Sequence, residues 1–435
     1  MSDVYPSIRS PEPDRAGPGP EGADVVSERG RFRVGSNVIA IGMTSLVTDI
    51  SSEMVNAILP LYLVFQLRMS PLAFGVFNGL YQGVAGVVRI SGGIASDRRH
   101  RYKEVAGVGY GISLAAKLGL LAVGQAALPA AGILMIDRIG KGIRTSPRDA
   151  LISLSAPVHR LAEAFGVHRT LDTTGALLGP VLAYLILTAR PDDYDAVFVL
   201  SFLIGVVGLG VLVCFVGNRR PDLSTLHDRV RPSLRTAASL LADRAFRRLV
   251  VASAVLAAAT IGDAFVYLTF QRQSDFTTQY FPLLYVGTAF AYLALAIPFG
   301  RIADRVGRSR VFLMGYLALG GAYLMLLVPS PGGSALIAVL GLLGVFYAAT
   351  DGVLIAMVSV VVPDELRTSG IALLTTVTAV AGFVASVAFG AWWTWHGPVA
   401  SVQLFLALLA AALIVGWLLL RVSLRGPGLA KDVLQ

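Results

Sequence analysis

Long apolar stretches alternate along the chain with short polar or Pro/Gly-rich breaks, and their length predicts helices. Apolar runs fall near 37–67, 72–96, 105–127, 130–154, 163–189 and 197–217. After a charged connection they resume near 249–271, 281–302, 309–328, 335–361, 366–392 and 399–420. Each holds the roughly 20 residues that an α-helix needs to cross a hydrocarbon core. The pattern therefore predicts an all-α polytopic membrane protein with twelve spans in two sets of six. Residues 1–33 are rich in Pro, Gly, Glu, Asp and Arg without apolar periodicity, which predicts a disordered tail; they lack the apolar stretch of a signal peptide. The expected organisation is a tail over 1–33, a six-helix bundle over 34–217, a connection over 218–248, a second bundle over 249–422 and a tail over 423–435. Within the connection, LRTAASLLADRAFRRL reads as a short amphipathic helix at the membrane surface.

Composition points the same way. Hydrophobic residues make up 55% of the chain and charged residues 14%, against about 25% charged in a soluble domain, which excludes an ordinary water-soluble enzyme. Lys and Arg number 36 and Asp and Glu 27, a net +9 that could suit nucleic acid or a membrane surface. Placement decides between them. One set of alternate connections holds nearly all the basic residues between spans, and the other carries only Arg68, Arg190 and Arg272. Because Lys and Arg near helix ends stay on the cytoplasmic side, both termini are expected in the cytoplasm and no nucleic-acid partner is needed. The single Cys214 allows neither an intrachain disulfide nor a cysteine metal cluster. With no GxxxxGK(S/T) loop and no HExxH, neither direct ATP hydrolysis, nor a metal site, nor a cofactor is expected.

The turn after the second span reads GGIASDRRHRYK, residues 92–103, and the turn after the eighth reads GRIADRVGRSR, residues 300–310. Both contain GxxxDR followed by further basic residues. The first copy places Gly93, Asp97 and Arg98; the second places Gly300, Asp304, Arg305, Gly307 and Arg308. Their aspartates stand 207 positions apart, so each half carries the same signal at the same helix-to-helix turn. Such a turn needs Gly for close approach, Asp to accept from a helix N-terminus or an Arg, and basic residues to hold it in the cytosol. A gating role is expected for it, with solvated loop charge as the plainer reading.

These motifs resemble those of the major facilitator superfamily of secondary transporters, whose signature GxxxDRxGRR lies between spans two and three and is often echoed between eight and nine. The resemblance covers about residues 35–422, and the second copy is the closer match, since Gly307 stands where the first copy has His100. The fifth span carries GALLGPVLA, with Gly175, Gly179 and Pro180, similar to the GxxxGP signature of the superfamily's exporters but without its trailing glycine pair. The fourth span contains DRIGKGIRTSPRDAL, residues 137–151, which resembles an elaborated RxxxG signature with Arg138 and Gly142 at the matching positions, a form associated with prokaryotic members of unassigned substrate. The resemblance implies two pseudo-symmetric six-helix bundles whose spans 1, 4, 7 and 10 line a central cavity, working as a monomer in a bacterial cytoplasmic membrane.

Ionisable residues at bilayer depth cost about 2.5–3.5 kcal/mol each on insertion scales, so they face a cavity or a partner. Asp49 and Glu53 share a face of the first span, with Asn56 close by. In the fourth span Asp137, Lys141, Arg144 and Arg148 form a stripe, with Arg138 beside it. Asp263 and Asp351 lie near the middle of spans seven and ten, and subtracting the 207-residue repeat aligns Asp351 with Arg144. Opposite charges at equivalent positions suggest pairing across the halves or a division of roles.

Asp49, Glu53, Asp263 and Asp351 are expected to carry proton coupling or bind substrate. The alternative for the first two is a static ion pair with Lys141 or Arg144. Asn56, Arg138, Lys141 and Arg144 are expected either to contact an anion or to balance those acids. Three further readings are plainer. Asn78, Gln82 and Arg89 suit interhelical hydrogen bonds; His168 and Asp172 could relay a proton, though an Arg169–Asp172 pair is preferred; Trp392, Trp393 and Trp395 suit an interfacial anchor. Lys117 has no evident local partner.

The expected activity is proton-coupled export of a small organic solute by alternating access, the basic stripe favouring an anionic or zwitterionic cargo. An importer of an organic anion is the alternative. A membrane enzyme acting on lipid or isoprenoid would need an Asp-rich cluster within the spans that the sequence lacks, and a non-transporting sensor would not need charges on all four cavity helices.

Overall fold

The structure, a computed structural model, describes residues 35–99, 101–124, 126–157, 160–218, 239–274, 277–329, 332–363 and 366–423. The N-terminal tail, residues 219–238 of the central connection and residues 424–435 lie outside the described residues. The first half consists of α1 (Ser36–Leu61, continued by a π-helical turn Tyr62–Gln66), α2 (Pro71–Arg99), α3 (Tyr102–Val123), α4 (Ala127–Leu154), α5 (Leu161–Ala189) and α6 (Tyr194–Phe215). The second half begins with α7 (Arg244–Ala258) and α8 (Asp263–Gln273), two parts of one span, followed by α9 (Phe281–Val306), α10 (Arg308–Leu326) and α11 (Gly333–Val361). A final helical stretch, Arg367–Ser423, is broken at Gly397, whose φ of 84° lies outside the helical region; it comprises α12 (367–396) and α13 (398–423).

Among the described residues nine helical stretches are long and apolar enough to cross a membrane. One of them, Ser369–Arg421, is the broken α12–α13 pair. The 29-residue α2 and 28-residue α4 bring the number to twelve, each exceeding the length of a hydrocarbon core at about 1.5 Å per residue. Helices are the economical solution here, because every backbone group at membrane depth must be satisfied within the segment. The seventh span violates that rule over 259–262. There the Tyr323 hydroxyl takes over, accepting from the freed Ile261 N–H at 2.6 Å. The expected boundary of the central connection shifts as well. Asp243 caps α7 by accepting from Phe246 N–H at 2.7 Å, so helix starts within the stretch assigned to the linker.

The halves repeat one packing scheme. In the first, α1 packs on α5 and α6, α3 on α4 and α6, and α2 on α4; in the second, α7 packs on the α12–α13 pair, α10 on α11 and α13, and α9 on α11. Between the halves, α2 packs on α12 and α5 on α9. The fifth-span glycines serve the first scheme. A Cβ at Gly175 would overlap the Leu46 carbonyl, and one at Gly179 would lie 2.8 Å from that of Ile50, so α5 lies directly on the backbone of α1.

The α2–α12 seam is similarly tight. Ser386 Oγ donates to the Gly75 carbonyl at 2.9 Å, Leu72 N–H donates to Thr394 Oγ1 at 3.0 Å, and Asn78 Nδ2 donates to Ser386 Oγ at 3.4 Å. Nearby, Phe74 meets Phe265 edge-on at 5.1 Å between centroids and Tyr184 stacks on Tyr280 at 5.5 Å. All these contacts between the halves lie toward the end that carries Arg68, Arg190 and Arg272, here called the closed end. Trp393 differs from expectation. It is buried against Phe265 and Phe389 with Arg272 over its ring, so it belongs to the packed core, while Trp395 alone of the three is largely exposed.

Candidate functional site

The two charged stripes meet as an antiparallel ladder between α1 and α4. Four positions one turn apart on α1 face four on α4. Ser45 accepts from Arg148 at 3.3 Å, Asp49 lies 3.6 Å from Arg144, Glu53 accepts from Lys141 at 3.0 Å, and Asn56 Oδ1 accepts from Arg138 at 3.0 Å. Helical periodicity on both strands of the ladder accounts for the spacing. The Asp49–Arg144 rung is buried, and the Arg144 guanidinium also lies over the Tyr110 ring at 4.5 Å. The Arg138 guanidinium lies over Tyr81 at 3.8 Å. The cations of the fourth span are thus engaged by α1, and Arg144 does not pair with Asp351, its counterpart in the repeat. Arg148 extends the network to Asp149 at 3.2 Å and Asp172 at 3.4 Å. Arg169 reaches Asp172 at 3.8 Å, while His168 shares a 2.9 Å hydrogen bond with Ser45.

Lys117, which local sequence does not explain, finds its partners across the bundle. Its Nζ donates to Ser51 Oγ at 2.5 Å and approaches Ser52 Oγ at 3.5 Å, and Ser51 in turn donates to the Ser201 carbonyl on α6. One buried ammonium thereby joins α3, α1 and α6. Behind the ladder, Asp137 is buried with Oδ1 free of hydrogen bonds among the described residues.

Beyond the ladder, two cavities lie at mid-depth between the halves. The larger, of about 470 Å³, is walled by Phe74, Phe77, Tyr81, Tyr316, Phe346 and Phe383. The smaller, of about 270 Å³, is bordered by Glu53, Asp263 and Asp351 together with Tyr267, Tyr292 and Pro180. They adjoin, since Asn56, Asp263, Tyr285 and Tyr347 line both. Asp263 occupies the first turn of α8, directly after the break in span seven, where the helix N-terminus favours a negative group. It accepts from the Tyr347 hydroxyl at 2.8 Å. Asp351 lies one turn after Tyr347 on α11 and is exposed within its cavity.

The repeated turn is described best in its second copy. Gly307 has φ 110°, a conformation that favours glycine, and it separates α9 from α10. Arg308 pairs with Asp304 at 3.0 Å and donates to the Ala356 carbonyl of α11 at 3.2 Å, tying the turn to the tenth span. Arg305 is exposed and Gly300 has open space where a Cβ would stand. In the first copy Gly93 faces Ser146 of α4, and the side chains of Asp97 and Arg98 lie outside the described residues. Of the polar face on α2, Asn78 bonds Ser386 and Arg89 pairs with Asp149 at 3.0 Å, while Gln82 lines the larger cavity.

Comparison with known proteins places this architecture. A relative from Methanocaldococcus jannaschii, an uncharacterized MFS-type transporter, is 29% identical over 367 residues, covering 82% of this chain and 88% of that protein. An uncharacterized protein of Mycobacterium tuberculosis is 27% identical over 176 residues, 40% of this chain and 42% of its own. Among solved structures, the peptide transporter POT in complex with sulfate superposes with TM-score 0.74 at 15% identity, covering 91% of this chain and 96% of that one. A nucleoside transporter gives TM-score 0.71 at 12% identity, covering 89% and 99%; at such identities the likeness is one of fold. The sequence matches the Major Facilitator Superfamily over residues 41–291 and 274–433. With twelve spans among the described residues, a packing scheme repeated in the two halves and a cavity between them bordered by three carboxylates, the chain belongs to the major facilitator superfamily and is a multi-pass membrane transporter.

Proposed function

We propose that the protein exports a small organic solute in exchange for protons, working as a monomer in a bacterial cytoplasmic membrane with both termini in the cytoplasm. The observation that carries this reading is the placement of Glu53, Asp263 and Asp351 around one cavity built jointly by the two halves. A carboxylate at such depth is costly as an anion and can exchange its charge for a proton or for a ligand as its neighbours move, which is the behaviour a coupled carrier requires. Asp49 and Arg144 join the same unit as a buried rung. The asymmetric distribution of Lys and Arg supports placing the closed end outside, so the conformation described is open toward the cytoplasm. The fifth-span GxxxGP supports export, in keeping with the resemblance on which that motif rests.

The test uses membrane vesicles of known orientation with an imposed pH gradient, a panel of solutes, and a pH-sensitive dye inside. A transported solute is expected to release protons across the membrane, and Asp49→Asn, Glu53→Gln, Asp263→Asn and Asp351→Asn combined are expected to abolish that coupling. Solute movement and proton flux unchanged in the quadruple variant would overturn the coupling. Accumulation on the cytoplasmic side would favour instead import of an organic anion.

A further inference from the structure

We infer that the cargo is an organic cation, with its positively charged centre held in the smaller cavity and its apolar body in the larger. The inference rests on the transport reading above and names the substrate class of the same site. Three observations lead to it.

The first is the sign of the lining. Glu53, Asp263 and Asp351 border the cavities, and among the described residues no Lys or Arg does. The fourth-span cations that would attract an anion do not line this space and are already engaged. Lys141 is taken by Glu53, Arg144 by Asp49, and Arg138 lies behind the Tyr81 ring, bonded to Asn56.

The second is an imbalance between the halves. Glu53 has a cation at 3.0 Å, whereas neither Asp263 nor Asp351 has a Lys or Arg nitrogen within 4.0 Å among the described residues; Arg169, which pairs with Asp172 at 3.8 Å, acts on Asp351 only from beyond ion-pair distance. Asp263 has only the Tyr347 hydroxyl at 2.8 Å, which leaves acceptor capacity on both of its oxygens. Two carboxylates facing a shared space at membrane depth call for positive charge, which a ligand can supply.

The third is the character of the walls. Tyr267 and Tyr285 meet at right angles, 4.8 Å between centroids, and Tyr292 and Tyr347 stand similarly at 6.4 Å, so tyrosine rings flank the space between the acids. Ring faces attract ammonium groups, and the attraction is stronger where water is excluded. The adjoining larger cavity is aromatic along most of its wall, suited to a ring or branched hydrocarbon, and the volumes of the two together fall in the range of sites for drug-sized ligands.

Matched pairs of similar skeleton and opposite charge test this on the purified full-length protein in detergent. One pair is tetraphenylphosphonium and tetraphenylborate; the other is phenethylamine and 3-phenylpropionate, for a cargo of smaller size. Equilibrium binding is expected to favour the cation at least tenfold in one pair or both, and Asp263→Asn and Asp351→Asn, each retaining the elution profile and helicity of the unmodified protein, are expected to lower cation affinity about tenfold. Equal or tighter binding of the anions, cation binding unchanged in both variants, or no binding of either cation would each overturn the inference. Binding needs no gradient, so a failure of proton coupling leaves this result standing. Preference for an anion would refute the charge assignment and leave the transporter reading intact.

Discussion

Arg144→Met is expected to destabilise the folded protein by about 3–5 kcal/mol, the range seen when one partner of a buried ion pair is removed. Both members of the Asp49–Arg144 rung are almost fully enclosed, with side-chain exposures of 9% and 3%. Removing the guanidinium strands the Asp49 carboxylate and also removes the cation from the face of Tyr110. The double variant Asp49→Asn/Arg144→Met strands no charge and is expected to recover most of the loss. Thermal unfolding of the purified proteins followed by intrinsic fluorescence supplies the double-mutant cycle. An Arg144→Met protein as stable as the unmodified one, or a double variant no better than the single, would show that the rung is not a paired unit.

A different kind of loss is expected at the α2–α12 seam. A Cβ at Gly390 would overlap the Pro71 carbonyl and crowd the Gly75 Cα, both backbone atoms that cannot rotate aside. Gly390→Leu should therefore leave each bundle intact while preventing the closed end from closing. Overpacking of this kind costs about 1–3 kcal/mol. Spent against one of two conformations, that amount shifts their ratio by about 5- to 150-fold toward the opposite state. Reactivity of a cysteine at position 72 toward a membrane-impermeant maleimide, in a Cys214→Ser background, reads the shift directly. Unchanged reactivity in a protein of normal helicity would mean that the seam does not govern closure.

The fold was legible in the sequence because hydropathy in a bilayer is a strong and nearly one-dimensional signal. The twelve apolar runs coincide with the twelve spans, and the repeated GxxxDR marks equivalent turns. Less legible was what interrupts a span. The break over 259–262 has no proline, and its stability depends on Tyr323, some sixty residues away, so local pattern could not reveal it. The ladder was half legible: helical spacing placed Asp49 and Glu53 on one face and Lys141 and Arg144 on another, but which acid meets which base depends on the antiparallel run of α1 and α4. Lys117 was opaque for the same reason, its hydroxyl partners lying on another helix. The tyrosines around Asp263 carried a signal too diffuse to find, because aromatic residues are common in spans and only tertiary packing brings Tyr267, Tyr285, Tyr292 and Tyr347 to one cavity. The repeat arithmetic that set Asp351 against Arg144 identified equivalent positions, and equivalent positions in a pseudo-symmetric pair sit in separate halves, where each finds its own surroundings.

The cavity between the halves is expected to open in turn to each side of the membrane. A cysteine replacing Thr378, on the wall of the larger cavity, can be probed in the Cys214→Ser background with an impermeant maleimide applied to right-side-out and inside-out vesicles. Labelling is predicted from both sides. After a disulfide is formed between cysteines at positions 72 and 394 across the closed end, labelling is predicted only from the side of the membrane opposite that end, and reduction should restore the other. Labelling confined to one side throughout, or unaffected by the cross-link, would show that the cavity does not alternate between the two sides.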